Sequence, residues 1–187
     1  MKIEDLLLGY TNSREPHERK PGRYWATDLW AIIHNRITPE EFFAPKEYDL
    51  TASRNIVEGE VRELALKSLL DANGIEYNYQ PKKELKIDDE ITLVVVADFE
   101  FKDLIVECKS PQAMKKLPKS YHLPQLEAQF RAFEKDVYII YLKERFDYRI
   151  YKYDKNDKLW KQIVSSLKKF HQDILKYVKQ KETTDKI

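Results

Sequence analysis

Apolar positions along this chain switch between a period of three to four and a period of two, and the switches divide it into elements. Leu159, Ile163, Leu167, Phe170, Ile174 and Val178 recur every three or four residues, which predicts an amphipathic helix over residues 157–180. Leu29, Ile32 and Ile33 form a shorter stripe behind Thr27 as N-cap, predicting a helix over 25–36. Thr38-Pro39-Glu40-Glu41 supplies an N-cap, a proline at the first helical position and acids in the first turn, so a short helix follows. A longer helix over 53–73 is closed by Gly74. Runs rich in β-branched and aromatic residues predict strands over 75–80, 91–101, 104–109, 137–142 and 148–153, with a helix over 125–133 between the third and fourth. Residues 11–24 and 111–124 are polar, proline-punctuated loops, the second of them basic. The resulting order is α, β, β, β, α, β, β, α. It predicts an α/β fold with a central mixed five-stranded sheet flanked by helices. Residues 1–50 would form an N-terminal helical extension, 53–153 the core and 157–180 the last helix of a single domain over 1–187.

The strands over 91–101 and 104–109 carry candidate chemistry. With Lys102-Asp103 as a two-residue turn, Asp98 falls directly across from Glu107. Opposed residues hold their Cβ atoms ~5 Å apart, and like charges there destabilise a sheet. A divalent cation between them removes that penalty. Lys109 lies two residues beyond Glu107, on the same face. The opposite face is Ala97, Phe99, Phe101, Leu104, Val106 and Cys108, wholly apolar. Glu-x-Lys occurs at four places, but only Glu107-Cys108-Lys109 ends a β-branched run and has an aspartate opposite. Glu84-Leu85-Lys86 follows Pro81 in a lysine-rich stretch and reads as a connection. A solvated hairpin face with a cross-strand Lys–Glu pair is equally compatible with the pattern.

Composition narrows the classes. Hydrophobic residues at 42% and aromatics at 12% argue against disorder, and 187 residues suffice for a real core. A net charge of +1 gives no global nucleic-acid signature, so any such surface must be local. The single cysteine excludes an intrachain disulfide framework and a four-cysteine zinc or iron–sulfur site. Leu6-Leu7-Leu8 is too short for a signal peptide, and no segment approaches the ~20 apolar residues of a membrane helix. The expectation is a soluble cytoplasmic protein with no membrane partner. His17, His34, His122 and His171 form no ligand or triad spacing, and His122 reads as a loop or surface residue.

Glu58-Gly59-Glu60-Val61-Arg62-Glu63 opens a helix that precedes the D…E-x-K strands and a following helix. Over residues 53–142 this arrangement resembles the PD-(D/E)XK nuclease superfamily, whose restriction-endonuclease-like core it implies. The spacing of Gly59, Glu63 and Gly74 is similar to that of its Holliday-junction resolvases. The resemblance implies Glu63 as a first-helix metal ligand, with Glu60 in reserve; a missing side chain at Gly59 would let the helix approach the sheet. Tyr121-His122-Leu123-Pro124-Gln125-Leu126 is similar to RecB-like members and implies Gln125 as the glutamine that reaches back into the site. Gln129 stands where those relatives often carry an aromatic. Tyr24-Trp25-Ala26-Thr27-Asp28-Leu29 resembles the entry helix of RecB-like and CRISPR-associated exonucleases, but Ile32 replaces their cysteine and no C-terminal cysteines follow, so no iron–sulfur cluster is expected.

Asp98, Glu107 and the Cys108 backbone carbonyl, with Glu63, then form an oxygen-only set suited to Mg²⁺ or Mn²⁺ rather than zinc. Lys109 would place a water or stabilise charge on the phosphate. Lys115, Lys116 and Lys119, with Tyr121 among them, are the candidate nucleic-acid contacts. The expected function is a metal-dependent deoxyribonuclease of RecB-like kind, with DNA as partner. A junction-resolving endonuclease, which implies a homodimer, and a silent DNA-binding protein are the alternatives.

Overall fold

The computed structural model describes residues 2–13, 19–111, 116–143 and 147–184. Its first helix, α1 (Ile3–Asn12), is followed by a short strand, β1 (Arg23–Trp25), a 3-10 turn over Ala26–Asp28 and α2 (Leu29–Ile33). The helix expected over 25–36 therefore starts later, because Tyr24 and Trp25 are extended and pair in parallel with Leu93 and Val94. α3 (Pro39–Phe43) has the expected cap: Thr38 Oγ1 accepts from Glu41 N at 3.2 Å, and Glu41 Oε2 accepts from Thr38 N at 2.8 Å. α4 (Leu50–Ala72) begins earlier than expected because Asp49 Oδ1 accepts from Ala52 N at 2.7 Å. It ends at Gly74, whose φ of 64° turns the chain out of the helix.

Three short strands follow: β2 (Asn78–Tyr79), β3 (Lys82–Lys86) and β4 (Thr92–Val96). After them come β5 (Phe99–Glu100), β6 (Leu104–Lys109), α5 (Leu123–Phe133), β7 (Asp136–Leu142), β8 (Tyr148–Tyr153) and α6 (Asp157–Thr184). The five-stranded mixed sheet has the order β2-β5-β6-β7-β8, with β6 and β7 parallel across the α5 crossover. Beside it lies a three-stranded sheet of order β1-β4-β3.

The strand expected over 91–101 is thus two strands in two sheets. Its partner is broken at the same level: β2 pairs with β5 and β3 with β4 in one unchanged register, so a single hairpin bends between Gln80-Pro81 and Ala97-Asp98. Pro81 has no N–H for a ladder, and Gln80 takes a φ of 50°. Gln80 N still donates to Asp98 O at 2.9 Å and Ala97 N to Pro81 O at 3.2 Å, which pins the two bends together. β3 lies where a lysine-rich connection was expected. It is a sheet edge, and its Lys83 Nζ lies over the Phe133 ring, 4.8 Å from the centroid, so lysines serve there as both ring contacts and edge protection.

The core lies under the α5 and α6 faces. Ile163, Leu167 and Ile174 of the α6 stripe are fully buried in one core cluster with Leu93, Val137 and Ile139. Phe42 of α3 and Leu29 of α2 join them, and β1 adds a strand to the N-terminal segment expected to be helical. His171 is buried on α6, where its Nδ1 pairs with Tyr24 OH at 2.8 Å; burial pushes that phenol up to about 12. No helix among the described residues is long and apolar enough to cross a membrane.

The turn that docks β1 on β4 requires glycine. Gly22 has a φ of 79°, its carbonyl accepts from Thr92 N at 2.7 Å, and a Cβ there would collide with the Glu90 carbonyl. Gly22→Ala should cost about 2 kcal/mol from backbone strain and displacement. In a chain of this size that is a fall of roughly 4–8 °C in melting temperature. An unchanged melting curve would mean that the β1 turn is not strained as described.

Candidate active site

The bend delivers one carboxylate and the central strand the other. Glu107 sits on β6 between β5 and β7, pointing to the α5 side with Ile105, and is only 2% exposed. Its Oε1 accepts from Gln125 Nε2 at 2.7 Å and from the Lys109 ammonium, and its Oε2 accepts from Gln129 Nε2 at 2.5 Å. Gln129 Nε2 also donates to Val96 O at 2.8 Å, tying the end of β4 to Glu107. Gln125 and Gln129 are one turn apart on α5, so a single helix face covers the carboxylate.

Asp98 reaches this place differently from the expectation. The β5–β6 register is the expected one, Phe99 opposite Val106, but the ladder stops there and Asp98 lies in the bend rather than across from Glu107 within it. Beyond Val106, β6 has lost its partner on that side. Asp98 Oδ2 takes up the free donor, accepting from Cys108 N at 2.6 Å. Ala97, Phe99 and Val106 of the apolar face are buried as expected, whereas Phe101, Leu104 and Cys108 are half-buried. The charged face is not a solvated one: α5 lies over it.

Electrostatics follow from this crowding. Asp98 titrates well above the ordinary aspartate range, first because it is withdrawn from water, then because of Glu107 and, more weakly, Glu63, with Lys109 opposing. Burial pulls the Lys109 ammonium down, but Glu107 and Asp98 outweigh it and hold the group above its usual range. The Cys108 thiol is pushed up by burial and then by Asp98 and Glu107, so it is no thiolate nucleophile at neutral pH.

The two first-helix acids part company. Glu63 Oε1 accepts from Gln80 Nε2 at 3.0 Å, and burial and then the same carboxylate push the Tyr79 phenol up, so the bend holds Glu63 on the Asp98 side. Glu60 Oε2 accepts instead from Tyr10 OH on α1 at 2.9 Å. The reason expected for this preference fails: nothing lies within 4 Å of where a Gly59 Cβ would stand, so no close helix–sheet approach depends on that glycine.

Among the described residues no three His, Cys, Asp or Glu side chains are packed closely enough to hold an ion by themselves. The chemistry of the donor set nonetheless fits a hard divalent cation. Asp98, Glu107 and Glu63 bring three carboxylates against the single ammonium of Lys109, and the two amides on Glu107 satisfy it without neutralising it.

Of the expected nucleic-acid contacts, Lys115 lies outside the described residues. Lys116 is exposed, Lys119 N donates to Tyr141 OH at 2.9 Å, and Tyr121 is 47% exposed. His122, expected at the surface, is half-buried with Nδ1 2.9 Å from Tyr141 OH; burial, then Lys109 and Lys119, lower it to about 3, so it is neutral. Gln129, Gln80 and Tyr79 were not foreseen. The one available signal was the four-residue spacing of Gln129 from Gln125.

No protein-family model matches the chain, and no curated protein matches it by sequence. Solved structures do. An alkaline exonuclease from Laribacter hongkongensis is 13% identical with a TM-score of 0.64, over 96% of this chain and 98% of that one. The chain has the fold of that exonuclease. A protein designated SSO0001 is 18% identical with a TM-score of 0.66, over 91% of this chain and 86% of its own. A phage-related exonuclease from Haemophilus somnus is 14% identical with a TM-score of 0.53, over 83% of this chain and 96% of its own.

A titration of stability reads the cost of the charged Asp98 carboxylate, set first by burial and then by Glu107. Because its carboxyl titrates above the ordinary value near 3.8, folding favours the protonated form. Its contribution to stability is therefore fully present below about pH 4 and is lost as pH rises through the raised folded value. In EDTA, Asp98→Asn keeps an oxygen for Cys108 N–H and should melt higher than the parent at about pH 8, with the advantage vanishing near pH 4. Thermal melts across that range check it; a variant that melts lower at the alkaline end would contradict a destabilising Asp98 carboxylate.

Proposed function

We propose that this chain is a divalent-metal-dependent deoxyribonuclease of the PD-(D/E)XK superfamily, of RecB-like kind. The observation that carries this reading is the pairing of half-buried Asp98 with buried Glu107, with Lys109 on the same strand as Glu107 and 27% exposed at its side chain, on a fold shared with exonucleases. Asp98, Glu107, Glu63 and the Cys108 carbonyl would hold Mg²⁺ or Mn²⁺. When bound, the ion supplies polarisation of the scissile phosphate and a water of lowered pKa.

The chain's own groups do the rest. Asp98 is aimed by the Cys108 N–H. Gln125 and Gln129 fix both oxygens of Glu107. Lys109 stays charged at neutral pH and donates toward developing negative charge on the phosphate oxygens. Its ammonium bonds Glu107 at rest, so substrate phosphate would compete for an existing, positioned donor. DNA as the substrate is supported by the Laribacter exonuclease, which has also been solved in complex with dAMP.

Incubation with linear, circular and branched DNA in Mg²⁺, Mn²⁺ or EDTA tests the reading. Linear DNA should be degraded with either metal and none should be cut in EDTA. Asp98→Ala, Glu107→Ala and Lys109→Ala should each abolish cleavage with the fold retained by circular dichroism. Wild-type turnover in any of them removes that residue from the site. Selective cutting of branched DNA would favour the junction-resolving alternative.

Glu63 and Glu60 give a paired comparison. Glu63→Gln should weaken metal binding and lower turnover at least tenfold, about 1.4 kcal/mol of barrier. Glu60→Gln, at the acid whose Oε2 accepts from Tyr10 OH on α1, should lower it much less. Reversed results would assign the first-helix ligand to Glu60.

A further inference from the structure

The 3-10 turn Ser120–His122 runs directly into α5, so Tyr121, Gln125 and Gln129 follow one another at four-residue intervals. Gln129 is fully buried on Glu107 Oε2, and Gln125 bonds Oε1 of the same carboxylate. Tyr121, one further turn outward, stands 47% exposed at the mouth of the site. It does not stand alone. Its ring meets Trp30 of α2 edge-on at 6.3 Å and His122 at 4.3 Å, and Trp30 stacks on His34 at 4.8 Å with 29° between planes.

A row of rings joining two elements is usually core. Here the ends of the row are in solvent: Tyr121 and His34 are exposed and Trp30 is half-buried. The row is flanked by positive charge, with Lys116 and Lys119 just before Tyr121, and Lys109 and Lys119 close enough to His122 to depress it. His34 also lines a pocket of about 230 Å³ with Ser120, Pro124 and Lys158. Lysines that neutralise phosphates beside rings that stack on bases are the two components of a single-strand track.

We propose that an unpaired DNA base next to the scissile bond stacks on the ledge formed by Tyr121, Trp30 and His34. This rests on the nuclease reading of the Asp98–Glu107 site. A base inside a duplex has both faces covered by its neighbours and cannot use the ledge, so the ledge selects strands that are single or frayed where they enter the site.

The test measures binding without cleavage: fluorescence anisotropy in EDTA with a labelled single strand, a blunt duplex, and a strand of abasic residues that keeps the phosphates and removes the bases. The wild type should bind the ordinary single strand about tenfold more tightly than the abasic one, a gap of about 1.4 kcal/mol. Tyr121→Ala should close most of that gap while leaving abasic binding unchanged, and Tyr121→Phe should restore it. Binding of the single strand should also quench tryptophan fluorescence, and Trp30→Ala, if it folds, should lose the quench. Equal binding of ordinary and abasic strands, or an unaffected Tyr121→Ala, overturns the ledge. Adding Mg²⁺ to the same strands reads the catalytic proposal separately. Cleavage without base-dependent binding leaves the nuclease reading standing and removes the ledge; base-dependent binding without cleavage does the reverse.

Discussion

Two carboxylates withdrawn from water and set against each other are the constraint around which this fold is arranged. Withdrawal from water first, and repulsion from Glu107 second, hold the Asp98 carboxyl well above its ordinary range. Each nearby element either delivers or contains that charge. The bend at Gln80-Pro81 and Ala97-Asp98 takes Asp98 out of the ladder and turns it onto the Cys108 N–H. The same bend presents Gln80 and Tyr79 to Glu63, so one backbone feature positions two of the three acids.

Glu107 shows how the charge is kept. A carboxylate that is 2% exposed needs donors for both oxygens, and α5 supplies them from two uncharged amides. Cations there would satisfy Glu107 equally well but would cancel the negative potential. With Lys109 as the sole ammonium bonded to the pair among the described residues, a net negative charge remains available to a divalent cation. Gln129 then bonds Val96 O as well, so the donor that contains Glu107 also fastens the two sheets together where the hairpin bends. Site electrostatics and sheet geometry are in this sense one arrangement.

What the sequence disclosed was periodic and local. The α6 stripe, the Thr38 N-cap, the bounds of β6 and β8 and the Phe99–Val106 register all follow from alternation, helical spacing, cap chemistry and turn length. What it hid was tertiary. Nothing in Val95-Val96-Ala97-Asp98-Phe99 marks a change of sheet, because the run is apolar on either side of the break; only Pro81, on the partner strand, hinted at it. β3 was concealed by its lysines, which at an edge strand replace the alternation of a half-buried one. Gln129 departed from the aromatic of similar chains and carried no meaning until Glu107 was seen beneath it.

The most direct measurement is a crystal structure of the protein with Mn²⁺, read by anomalous scattering. The account predicts a peak at bonding distance, roughly 2 Å, from carboxylate oxygens of both Asp98 and Glu107 and from the Cys108 carbonyl, with Glu63 on the same side. A peak elsewhere, with Asp98 and Glu107 still engaged only by Cys108 N–H, Lys109, Gln125 and Gln129, would contradict it. The pair would then be a structural network, not a metal site.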